Sequence, residues 1–217
     1  EHPLLWLDGV ELDGMDETGA LFHVVCLGFV EGLDRDMGLE AALESARRQG
    51  AFTILAHPHW CGNSTGDCLR WPFDGVEIYN HVCRWLNGKS GGLVHWDAML
   101  NSNGEALAFA VDDAHLRPQH PGWNGGWIMV QAAAKTRESI MEAIRAGRFY
   151  STQGPEIHSI EWDGAELHLA LSPVRFVRLA GPRSRGARLG SFDGAEITEV
   201  RMPVNTEWKY VYLEIED

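Results

Sequence analysis

Two acids and an imidazole stand together in Asp112-Asp113-Ala114-His115, directly after the apolar run Leu107-Ala108-Phe109-Ala110-Val111. A short apolar run that stops at polar residues reads as a buried strand, most often of a parallel sheet. Such sheets place ligand sites beyond the carboxyl ends of their strands. Charges crowded there are costly unless they pair or bind a metal. If the segment stays extended, Asp113 and His115, two residues apart, point the same way and make a half-site for a divalent ion. The alternative is that Asp112 or Asp113 caps the next turn and His115 is solvated.

Other strand ends carry similar groups. Glu11 follows Gly9-Val10, His57 follows Phe52-Thr53-Ile54-Leu55-Ala56, and Glu77 lies in Gly75-Val76-Glu77-Ile78-Tyr79. His23 sits inside the apolar run Leu21–Phe29, where a lone histidine is more often a hydrogen-bonded core residue, unless Glu11 lies on the neighbouring strand. Mixed imidazole and carboxylate ligands suit Zn, Mn or Fe(II) better than Ca or Mg. More than four of them imply more than one ion with a bridging carboxylate, a site that activates water for hydrolysis of an ester-like bond. His59 and His81 are candidates for proton transfer, with polar loop as the alternative. Trp60, Trp71, Trp85, Trp123 and Trp127 stand in or beside the same loops, where they either line an apolar substrate pocket or belong to the core. Cys61 near His57 could form a nucleophilic pair, but nothing in the sequence marks an activated thiolate. The chain has no Gly-x-Ser-x-Gly elbow, no phosphate loop and no dinucleotide fingerprint.

The elements that must hold these groups alternate over residues 1–154. A strand is expected over 3–12, broken by Asp8-Gly9, then a polar turn over Asp13–Gly19, then the strand Leu21–Phe29. Asp36 is the expected N-cap of a helix whose apolar face is Leu39, Ala42, Leu43 and Ala46, stopped at Gly50. Residues 60–73 read as a loop. A helix is expected over Leu93–Leu100, ending near Asn103-Gly104. The loop Leu116–Gly125 carries two prolines, and a strand over Gly126–Gln131 follows. Thr136 caps a helix with the apolar face Ile140, Ala143 and Ile144. Helical periodicity disappears at Pro155. Residues 155–217 alternate apolar and polar positions around Asp163-Gly164, which predicts a small antiparallel β-sandwich.

With 45% hydrophobic residues the 217-residue chain can bury a full core. Thirty-one acids against 18 bases give a net charge of −13, which excludes broad nucleic-acid or anionic-membrane binding. No apolar run approaches the ~20 residues of a membrane span. No signal peptide is visible, and Cys26, Cys61, Cys68 and Cys83 read as free thiols of a reducing, cytoplasmic setting. Cys61 and Cys68 with His59 fit no standard zinc spacing.

The stretches Gly9-Val10-Glu11, the strand with His23, Leu55-Ala56-His57-Pro58, Asp74–Asn80 and Val111–His115 resemble, in order, the polymerase and histidinol phosphatase (PHP) superfamily of metal-dependent phosphoesterases. Trp96-Asp97, Gly126–Val130 and Gly147–Pro155 resemble its carbaryl and carbamate hydrolase branch, which appends a small β domain. The resemblance implies an irregular, TIM-like (βα)7 barrel and about one to three divalent ions per site. Glu11 would bridge, His23 and His57 would complete one metal, Asp113 would serve a second and His115 a second or third. Glu77 would be structural. Glu11, Asp113 and His59 are the expected catalytic groups, acting with metal-activated water on a phosphoester or a carbamate or ester bond of a small-molecule substrate. The His-x-His and Thr-Asp-His strands that open the family are not present, so the barrel is expected to be incomplete at its N-terminal side. Self-association through exposed edges, and a non-catalytic binding module or inactive fragment, are the alternatives this leaves.

Overall fold

The computed structural model describes residues 4–102, 104–120, 122–190 and 192–217. Asn103, Pro121 and Pro3, the first residue of the strand expected over 3–12, lie outside them. The chain divides into two compact units, Glu1–Gln153 and Gly154–Asp217.

Five strands of the first unit form one sheet in sequence order: β1 (Gly9–Met15), β2 (Leu21–Leu27), β3 (Phe52–Leu55), β4 (Gly75–Asn80) and β5 (Leu107–Val111). β1, β2 and β3 pair antiparallel, while β3–β4 and β4–β5 are parallel. β1 runs through Asp13 and Gly14, so the turn expected over 13–19 is confined to the residues after Met15. There the Asp16 carboxylate accepts the backbone N–H groups of Thr18 and Ala20. Alternation along β2 splits the core. Phe22, Val24 and Cys26 pack with Leu39, Leu43 and Ala46 of α1 (Leu39–Arg48), Met99 of α4 (Leu93–Ser102) and Trp71. Val25 and Leu27 face the other way, toward Ile54, Phe109 and Ile144 of α5 (Arg137–Arg145).

The incomplete (βα)7, TIM-like barrel does not form. Among the described residues strands outnumber helices, thirteen to five, and the sheets are small and open. Closure requires the first and last strands of a sheet to pair, yet β1 and β5 are both edges. β6 (Trp127–Val130) and β7 (Phe149–Thr152) do not extend the sheet but make a separate antiparallel pair. The Ser151 hydroxyl donates to the Ala108 carbonyl and accepts the Ala110 N–H, so a side chain meets the edge of β5 where a barrel would place a strand.

Local signals shift several boundaries. Asp34, not Asp36, caps a 3-10 turn over Arg35–Met37, and α1 starts behind Gly38. Pro58 and His59, expected to end the strand, open the one-turn helix α2 (Pro58–Cys61), which runs into the loop expected over 60–73, with Pro58 at its start. Between β4 and α4 lies α3 (His81–Asn87), which the sequence reading did not include; Asn80 is its N-cap.

Gly92 lies against β4, its N–H bonded to the Ile78 carbonyl. A Cβ there would overlap the Glu77 carbonyl oxygen. Backbone cannot yield as a flexible side chain would, so Gly92→Ala is expected to destabilise the chain by about 2–3 kcal/mol, the upper part of the overpacking range. The urea midpoint measures it, and an unchanged midpoint would show that the segment 90–92 does not lie this close to β4.

In the second unit, β8 (Ile157–Trp162), β9 (Glu166–Val174) and β12 (Ile197–Pro203) form one three-stranded antiparallel sheet. β10 (Phe176–Ala180), β11 (Gly186–Gly190) and β13 (Tyr212–Glu216) form another. Leu169, Leu171, Val177, Leu179, Val200 and Met202 make their common core. Among the described residues no helix is long and apolar enough to cross a membrane.

Candidate metal centre

Antiparallel register brings the first two groups together. Asp13 lies opposite His23 and Glu11 opposite Val25, so Glu11 and His23 are diagonal neighbours on one face. Leu12 turns the other way, into the core with α1. His23 Nδ1 meets Glu11 Oε1 at 2.7 Å. His57 enters from the end of β3, its Nε2 3.5 Å from the same oxygen. Two imidazole nitrogens and a carboxylate oxygen therefore converge on one point, with all ligand atoms within 4.8 Å of one another. Trp60 closes one side, its ring centroid 5.2 Å from that of His57 and 5.8 Å from that of His23.

His57 is held in an uncommon backbone conformation. Its φ of +24° is strained for a residue with a Cβ. Three bonds hold it: the carbonyl accepts from Trp60 and Cys61 of α2, and the N–H donates to Glu77 Oε2 at 2.7 Å. Glu77 is buried, and burial pushes its carboxyl up to about 7. The same oxygen accepts from Asn80 Nδ2 at 3.0 Å. Asn80, fully buried, also donates to Asp113 Oδ2 at 3.2 Å while its Oδ1 accepts the Cys83 N–H. One amide thus ties the His57 support, Asp113 and the start of α3 together.

Charge is arranged around the convergence point. Hydrogen bonds from His23 and then His57 hold the Glu11 carboxyl down at about 2, against the opposing effect of partial burial. Burial disfavours the His57 imidazolium, but its bonds to Cys61 and Glu11 and the charge of Glu77 outweigh that and raise it to about 10. Asp113 is raised, chiefly by burial. In the metal-free chain a proton on His57 faces the Glu11 carboxylate in the position a cation would take.

The other expected site residues are placed differently. β5 ends at Val111, and Asp113 has φ +54°, so the segment does not stay extended and the alternation that would align Asp113 with His115 is lost. His115 Nδ1 turns back onto the Asp113 carbonyl at 2.9 Å and stands 3.8 Å from the Asp113 carboxylate, so the two groups meet through a turn rather than through alternation. Asp113 stands behind Asn80 rather than in the Glu11–His23–His57 group. Asp112 anchors the loop 116–126, accepting the N–H groups of Asn124, Gly125 and Gly126. His59 is exposed on α2. His81 pairs with the Tyr79 hydroxyl at 3.1 Å and packs on Gly125, where a Cβ would overlap its ring. Trp71 belongs to the core, and Trp85 and Trp123 are exposed. Cys26, Cys61, Cys68 and Cys83 are free thiols.

Asn80 was not assigned a site role from the sequence. An asparagine directly after an apolar strand, with Gly88 eight residues on, carries an N-cap and C-terminal glycine signal that points to α3. In the second unit Asp163, Glu166 and His168 also converge, but both acids are exposed and Asp163 Oδ1 is committed to the turn by the Ala165 and Glu166 N–H groups.

A carboxylate and two imidazoles meeting at one point, backed by a buried network of amide and acids, define a candidate divalent-metal centre on an open mixed sheet. No protein-family profile and no curated protein matches the chain.

Proposed function

We propose that the chain is a metal-dependent hydrolase acting on a phosphoester or a carbamate or ester bond of a small molecule. The observation that carries this is the convergence of Glu11 from β1, His23 from β2 and His57 from the turn after β3 onto one point. The donor set fits a Zn, Mn or Fe(II) ion: two nitrogens and one anionic oxygen, with room on the exposed Glu11 side for further ligands. When bound, such an ion supplies an activated water and a counter-charge for a developing oxyanion.

The chain's own residues do the rest. Glu11, ionised across the working pH range, gives the negative charge that draws a cation in. His57 is fixed by Glu77 and α2, and Trp60 shields the imidazole pair from solvent on one side. Asp113, with Asn80 between it and Glu77 and His115 beside it, would serve a second ion or accept a proton. The order of motifs resembling the PHP superfamily supports the same chemistry, on a sheet that is open. The unpaired edge of β1, with Val10 and Met15 exposed, supports self-association by strand pairing. The four free thiols support a reducing, cytoplasmic setting.

Metal content of protein purified without chelator, by elemental analysis, tests the proposal. One or more equivalents of Zn, Mn or Fe are expected, with turnover of aryl phosphoesters or aryl carbamates by the loaded protein. No metal, even after reconstitution, would overturn it in favour of a binding module that uses the same face without catalysis.

A further inference from the structure

The two nitrogens of His57 lie on opposite edges of its ring. Nε2 faces Glu11 at 3.5 Å. Nδ1 faces Cys61 Sγ at 3.4 Å. Cys61 stands one turn after His57 in α2, and its own N–H bonds to the His57 carbonyl, so the sulfur is carried to the ring by the same turn that fixes the histidine backbone. Cys26, Cys68 and Cys83 are buried, whereas Cys61 is half-exposed.

We infer that Cys61 is a positioning residue for His57: its sulfur accepts the Nδ1–H and thereby commits Nε2 to the cation. This rests on the metal reading above. A histidine that ligates metal through one nitrogen carries its proton on the other, and that N–H needs an acceptor which sets the ring's orientation. Carboxylates and carbonyls usually fill this role. Here the carboxylate within reach, Glu77, is occupied by the His57 backbone N–H and by Asn80, which leaves Sγ as the contact of Nδ1. A thiol is a weak acceptor and also a donor. The sulfur accepts the Nδ1–H whether Nε2 carries a proton toward Glu11 or faces a cation.

The test uses the full chain with zinc as the probe. Zinc affinity is read by competition with a chromophoric chelator for the wild type, Cys61→Ala and Cys61→Ser. Loss of an acceptor behind a ligating histidine weakens metal binding by roughly 10–100-fold, and that loss is expected for Cys61→Ala. Cys61→Ser, whose hydroxyl also donates and accepts, is expected to recover most of it. Nitrogen-15 spectra of the histidine rings in the zinc-loaded wild type supply a readout that needs no variant: His57 should show a zinc-bound Nε2 and a protonated Nδ1. Zinc on Nδ1, an alanine variant that binds as tightly as the wild type, or alanine and serine variants equally weakened would each overturn the inference while leaving the metal centre standing. No zinc bound by the wild type would overturn both.

Discussion

His57→Ala is expected to lower zinc affinity by more than about 100-fold, beyond the range for groups that only support a ligand. His57 supplies one of three donors, and three backbone hydrogen bonds hold it in place. Glu11→Gln should have a comparable effect for a different reason, since it keeps the oxygen but removes the negative charge. Asp113→Ala should spare the first equivalent, because Asp113 lies behind Asn80 and outside the converging group. It would reduce only a second equivalent. Binding should also depend on pH with a definite sign. His57 in the metal-free chain is raised to about 10, and Glu11 is lowered to about 2. Between pH 6 and 9 the carboxylate is therefore already ionised, while the imidazole must give up a proton to accept an ion. Affinity rises with pH across that window, by about tenfold per pH unit for one proton released. Calorimetry in buffers of different ionisation enthalpy counts that proton. Unchanged zinc stoichiometry and affinity in His57→Ala, or no proton release by the wild type, would remove His57 from the centre.

Asn80→Ala is expected to destabilise the fold by about 2–4 kcal/mol, the sum of a lost helix cap and buried partners left unsatisfied. Its side chain is used in full: the oxygen caps α3 at Cys83 and the amide hydrogens go to Glu77 and Asp113. Asn80→Asp separates these roles. It keeps the cap oxygen but places a third acid beside two carboxyls that burial already raises. Its destabilisation should be larger at pH 8 than at pH 5, because protonation relieves the repulsion. Urea denaturation at the two pH values measures both effects. If Asn80→Ala left the midpoint unchanged, the amide would not be the link between Glu77, Asp113 and α3.

The sequence by itself carried what depends on short spacing. The apolar run Leu107–Val111 is the strand β5, Thr136 caps α5, the Leu39–Ala46 face of α1 is buried, and the alternation after Pro155 marks antiparallel strands, because each of these follows from local periodicity or a cap. It also pointed to Glu11, His23 and His57 as chemistry-bearing positions at or within apolar runs. Three matters were decided only by the tertiary structure. Whether the sheet closes depends on pairing between strands far apart in the chain, and here β1 and β5 are edges, with Ser151 meeting β5. Whether His23 meets Glu11 depends on the β1–β2 register, since a slip of one residue would turn one of them to the opposite face. Whether Asp113 and His115 point together depends on a backbone torsion, φ +54° at Asp113, which breaks the two-residue alternation a sequence reading must assume. Long-range pairing, register and positive φ leave little trace in local spacing. The roles of Asn80 and Cys61 likewise emerge only once β4, α2 and α3 are placed around His57.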